Sequence, residues 1–210
     1  MTRLTLFIGL LALGCGVDTH GYSAPLCDHG VFAVRGLKPV ATPDVIQLRQ
    51  VLASTPNERM KPAVISSDGV ACATASLPSA CAKALDELNP SSGFARYCVD
   101  LCGDWHLATT LGDDVRAWSS AEALLAFLGA IDTTQEAALV AIAQGYQLSC
   151  DDLTSGGVKA AQNGFALIAT KGNTCSTAGI IRYFLFVGPD GSVSELRHEQ
   201  AKPGGEHCLY

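Results

Sequence analysis

"NGFALIATKGNTCSTAGIIRYFLFVGPDGSVSELR", Asn163–Arg197, holds two β-rich runs, Gly164–Gly172 and Ile180–Val187, followed by Ser192–Arg197, in which apolar and polar residues alternate. Asn163-Gly164 and Pro189-Asp190-Gly191 punctuate the runs, and such pairs recur at tight joins because their turns need positive φ. The C-terminal third therefore reads as antiparallel sheet. Immediately upstream the periodicity changes. Ser119 with Glu122 forms a capping box before Leu124, Leu125, Phe127 and Leu128, and Gly129 stops that run. Thr133 with Glu136 does the same before Ala137–Ala143, ended by Gly145. The short join predicts an αα-hairpin, and the second helix, almost all Ala, Leu, Val and Ile, is expected to be buried on most sides. Strands in runs with helices clustered between them give an α+β class, an antiparallel sheet with a helical hairpin.

Working further toward the N-terminus, Thr42-Pro43-Asp44 predicts the start of a helix with Val45, Leu48, Val51 and Leu52 as its apolar stripe. "PAVISSDGVACATA", Pro62–Ala75, predicts a hairpin turning at Asp68-Gly69. A short helix follows from about Ser79 to Leu88, closed by Asn89-Pro90.

"RYCVDLCGDWHLATT", Arg96–Thr110, carries the most chemistry. From Ala95 to Leu107 the odd positions are apolar or glycine and the even ones are Arg96, Cys98, Asp100, Cys102, Asp104 and His106. Period two predicts one strand with one buried face, and it puts every candidate ligand on the other. On a continuous strand Cys98 and Cys102 stand about 13 Å apart, beyond the roughly 7 Å that a bridge tolerates, so each would pair elsewhere. A turn near Cys102-Gly103 would instead bring Cys98 opposite His106, and a metal held by Cys98, Cys102 and His106, or a redox-active pair, is the alternative. The CxxxC spacing is similar to that of copper-handling envelope proteins of thioredoxin fold, with His198 as the distant histidine, but the strand-helix alternation and the proline of that fold are missing.

The leader bears on how the cysteines are read. Met1-Thr2-Arg3 supplies a positive charge, and "LTLFIGLLALG", Leu4–Gly14, is too short to span a bilayer, which takes about 20 residues. Ala12-Leu13-Gly14-Cys15 resembles a bacterial lipobox, which implies cleavage before Cys15 and acylation of its sulfur. The expected organisation is a signal peptide over 1–14, a tether over 15–26 and a single domain over 27–210. The place is the cell envelope, anchored to the membrane through the N-terminal lipid, or the outside of the cell. An oxidising compartment favours disulfides. With Cys15 lipidated, Cys27, Cys72, Cys81, Cys98, Cys102, Cys150, Cys175 and Cys208 remain, an even set whose pairing stays open.

Composition is that of a globular chain, 48% hydrophobic and 16% charged over 210 residues. A formal charge of −6 with no basic stripe argues against a nucleic-acid partner. No G-x-S-x-G elbow, H-E-x-x-H, Walker loop or dinucleotide fingerprint occurs. Asp104 and His106 are the remaining members of a conceivable hydrolase triad, and Asp113-Asp114 and Asp151-Asp152 fit no EF-hand. His207-Cys208 would pin the tail, and Trp105 and Trp118 are expected in the core. The reading is a non-catalytic binding or structural protein with no cofactor, whose partner is an unknown protein or small ligand.

Overall fold

The computed structural model describes residues 16–53, 59–98 and 102–205. Among them are eleven strands and three helices. In chain order these are β1 (Cys27–Asp28), β2 (Val31–Phe32), β3 (Val45–Ala53), β4 (Ala63–Gly69), α1 (Pro78–Glu87), β5 (Phe94–Cys98), β6 (Cys102–Leu111) and β7 (Asp114–Trp118). There follow α2 (Ala121–Leu128), α3 (Thr134–Ala143), β8 (Gly157–Ala161), β9 (Gly164–Gly172), β10 (Ile180–Val187) and β11 (Val193–Lys202). All pairing between named strands is antiparallel. The α+β class with disulfides stands, weighted toward β.

The C-terminal third is the expected sheet, in the order β11-β10-β9-β8. The N-terminal sheet runs β4-β3-β6-β5, with β7 pairing the distal half of β6 on the side that β5 occupies nearer its start. β1 and β2 form a separate ribbon whose turn, His29-Gly30, has positive φ at both residues, 51° and 79°, the geometry of a type I′ hairpin.

Three local expectations fail here. The stripe Val45, Leu48, Val51, Leu52 belongs to strand β3. Ile46 and Ala53 are buried as well, so the segment is apolar on both sides, as a central strand between β4 and β6 must be. Asp68-Gly69 does not turn a hairpin, since β4 runs straight through it and pairs back onto β3, with Gly69 opposite Val45. A Cβ at Gly69 would fall 2.2 Å from the Asp44 carbonyl oxygen, which accounts for the glycine without any turn. Beyond it the chain coils through residues 71–74, and the Cys72–Cys81 disulfide fastens that coil to α1. The third failure is the single strand over 95–107. It is two strands, β5 and β6, with Cys98 opposite Cys102.

α1 matches its expected span within a residue. α2 is capped by Ser120, one residue after the predicted Ser119, its side chain accepting from the Ala123 N–H at 3.1 Å. The Thr133/Glu136 capping box forms as read, both hydrogen bonds 3.1 Å long. α3 contacts β5 of one sheet and β8, β9 and β10 of the other, so it lies between the two sheets and is buried from Gln135 to Ile142. One apolar cluster joins it to both, through Leu48 and Leu107 on one side and Leu167 and Leu185 on the other. Burying Leu139, fully enclosed there, contributes about 2 kcal/mol relative to leaving it in water.

Two polar residues let so apolar a helix hold its surroundings. Gln135 accepts from the Leu26 N–H at 2.8 Å and donates to the Leu26 and Ala33 carbonyls, fixing the β1–β2 ribbon. Glu136, fully buried at the helix N-terminus, also accepts from the Lys38 and Asp132 N–H groups, and the helix dipole favours its charge there. Residues 23–26, assigned to the tether from sequence, dock on the fold. Ser23 pairs with Val158, and Pro25 is buried.

Candidate functional site

A cleft of about 850 Å³ opens between the two larger sheets, at the end of α3 where Gly145 stops the helix. Its volume lies in the range of small-molecule sites. Gln50 and Leu52 of β3 and Gly103 and Trp105 of β6 form one side; the β1–β2 ribbon, with Phe32, forms the rim. The opposite side is Tyr146, Gln147 and Leu148, with Lys171 and Asn173 at the end of β9.

Backbone pairing explains why these side chains converge. Gln147 exchanges two hydrogen bonds with Thr170, at 2.8 and 2.9 Å, continuing the sheet on the side that β8 occupies lower down. That bridge presents Tyr146 and Leu148 on the same wall as Lys171. Across the cleft, the β5–β6 ladder slips between Phe94 and Tyr97, and Ala95 takes φ +55°, an uncommon conformation for a residue with a Cβ. The ribbon is held in place by the Cys27–Cys150 disulfide, which joins it to the end of the Tyr146–Cys150 loop across a sequence separation of 123.

The ammonium of Lys171 sits 3.7 Å from the centre of the Tyr146 ring, and Tyr146 stacks edge-on against Tyr183 at 5.3 Å. Burial pulls the Lys171 amine below its ordinary pKa, with Glu195 opposing, and burial raises the Tyr146 phenol. A partly desolvated cation over an aromatic face, beside apolar walls, can receive an anionic group.

Of the residues singled out from sequence, Trp105 and Cys150 line the cleft, while His106, Asp104 and Cys102 lie elsewhere. His106 faces away from the cleft, opposite Arg49 in the ladder, and has no exposed surface. Neither ring nitrogen has a hydrogen-bond partner among the described residues. Burial, and after it the charge of Arg49, pushes its pKa down to about 4, so the ring is neutral at pH 7. Asp104 does not orient it, since both carboxylate oxygens take the Arg59 guanidinium, at 2.7 and 2.8 Å. Among the described residues no hydroxyl hydrogen-bonds the ring, so none of them forms a triad with it. Cys102 is disulfide-bonded and offers no thiolate, and His106 lies four residues farther along the same strand, so the two do not share an ion. No cluster of three metal-binding side chains occurs among the described residues.

Cys27–Cys150 and Cys72–Cys81 are paired, and Cys175 is also disulfide-bonded. Cys15, His207 and Cys208 lie outside the described residues, as does the side chain of Cys98. The acidic pairs serve turns. Asp113 accepts from the Ser76 and Leu77 N–H groups ahead of α1, Asp114 pairs with Arg116, and Asp152 accepts from Thr154 and Ser155. His198 is exposed on β11 beside Glu195. Trp118 and Trp105, both expected in the core, are partly buried at its margin, Trp118 against Phe127 and Trp105 in the cleft. Sequence reasoning passed over Tyr146, Lys171 and Gln50. The one available signal was "GYQLSC", Gly145–Cys150, an aromatic and polar loop between a buried helix and a cysteine.

No protein-family model, curated protein or solved structure matches the chain.

Proposed function

We propose that this chain is an exported, non-catalytic binding protein of the cell envelope that holds a small ligand in the cleft between its two sheets. The cleft itself carries the reading. It is concave, walled by Trp105, Phe32, Leu52 and Leu148 with a few polar groups among them, and its rim is cross-linked covalently. A cross-linked rim reaches binding geometry with little ordering cost, which is what favours affinity. In this reading α2 and α3 act as a helical hairpin that spaces the sheets. The leader directs export, and Cys15 is acylated and anchors the chain to the membrane. The eight other cysteines close as four bridges, for which the disulfides already described are the support. Nucleic acid is not a partner, consistent with the charge of −6.

Nile red, neutral and fluorescent in apolar surroundings, tests the cleft on the purified full chain. It is expected to bind one-to-one, and Gln50→Trp, which fills the cleft from β3, is expected to abolish the signal without lowering the unfolding temperature. Equal binding by the variant would end the reading. Export and acylation are tested separately by radiolabelled palmitate incorporation in a bacterial host. Cys15→Ser is expected to lose the label and leave the membrane fraction.

A further inference from the structure

The charge inside the cleft goes further than its shape. Among the described residues its lining contains no Asp or Glu and one basic residue, Lys171, in a chain whose formal charge is −6. Among the described residues no carboxylate lies within 4 Å of that ammonium; its neighbour is the face of Tyr146. Glu195 acts on the ammonium only from beyond ion-pair distance, so a lysine held partly out of water on an aromatic ring keeps a positive charge that no contact ion pair takes up. The opposite wall is apolar, with Trp105 and Leu52 on adjacent strands and Phe32 at the rim.

We infer that the cleft selects small organic anions with a planar or apolar body, the anionic head on Lys171 and the body against Trp105 and Phe32. The inference rests on the cleft being the binding site and adds the class of ligand. Carboxylate and phosphate monoester heads share the required chemistry, and either can accept hydrogen bonds from the ammonium. Charge opposite charge supplies selectivity over a neutral ligand of the same shape, while the apolar walls supply contact area.

The experiment compares 2-naphthoate with 2-naphthamide, the same ring system without the charge, by calorimetry on the purified full chain and by displacement of Nile red. Naphthoate is expected to bind about tenfold more tightly than naphthamide. Lys171→Met is expected to remove that difference by weakening naphthoate alone, and Lys171→Arg to keep most of it. 2-Naphthyl phosphate in place of naphthoate sorts the two kinds of head, tighter binding marking a phosphate site and weaker binding a carboxylate site, both within the inferred class. Equal affinity for naphthoate and naphthamide, or naphthoate binding indifferent to Lys171→Met, overturns the inference. If none of the three naphthalenes binds while Nile red still does, the ligand class is wrong and the cleft stands. Failure of all four probes removes the binding function as well.

Discussion

Gly103 and Trp105 on one face of β6 look into an open cleft, while on the other His106 is fully buried and Asp104, nearly so, sits at a small pocket beside Arg59 and Gly93. The residue types that ordinarily mark chemistry are on the closed face. Asp104 is held by Arg59, and Arg49 by the Leu85 carbonyl at the end of α1, whereas His106 keeps both buried ring nitrogens without a hydrogen-bond partner among the described residues. The open face owes its character to a glycine that leaves room and a tryptophan that provides surface. Polarity thus marks where this sheet is fastened, and the lack of it marks where a ligand fits.

A disulfide with both cysteines described lies beside each face, and comparing the two gives the largest expected effects. Cys27–Cys150 closes a loop of 123 residues beside the cleft, and Cys72–Cys81 one of nine beside α1. In the chain-entropy view the first stabilises by about 5 kcal/mol and the second by about 3 kcal/mol. Paired replacement by Ser should therefore lower the urea midpoint more for Cys27 and Cys150, and only that pair should also release Nile red. Equal losses would show that the two sides are not fastened differently.

Acid should attack the closed face next. His106 is held neutral, its pKa near 4 against 6.5 for the free side chain, so the unfolded chain binds the extra proton first. Stability is then flat above about pH 6.5 and falls by as much as about 3 kcal/mol on the way to about pH 4. His106→Leu should remove that contribution to the slope in a urea series across this range. An unchanged slope would mean that His106 is not what acid opens. Asp104→Asn, which leaves the Arg59 guanidinium partly buried without its counter-charge, is expected to cost about 2 kcal/mol in the same assay. At the bottom of the scale, Gln147→Ala on the open face should move stability by less than about 0.5 kcal/mol.

How much the sequence reveals follows the same division. The C-terminal sheet and the buried α3 were legible because Asn163-Gly164, the Thr133/Glu136 box and an unbroken apolar run act locally. β3 was misread because Val45, Leu48 and Val51 satisfy a helical stripe, and only β4 and β6 on either side decide the matter. The cleft was invisible for a related reason. Gln50, Trp105, Tyr146 and Lys171 come from four separate stretches, and no spacing within any one of them records that they meet. Along β6 alternation separated Gly103 and Trp105 from Asp104 and His106, but it left the second pair on the unburied face, where both are in fact buried, and it could not say that the chain reverses between Cys98 and Cys102.

The span from Cys27 to Cys150 also bears on how the chain matures. A polypeptide emerges from its N-terminus, so Cys27 waits while Cys72, Cys81, Cys98 and Cys102 pass within reach, each a wrong partner available sooner than the right one. Cys72 meets its mate after nine residues. Correct oxidation of the first cysteine of the folded region thus calls for delay or reshuffling by thiol exchange, and of the two pairs described the later to lock is the one at the rim that a ligand must cross.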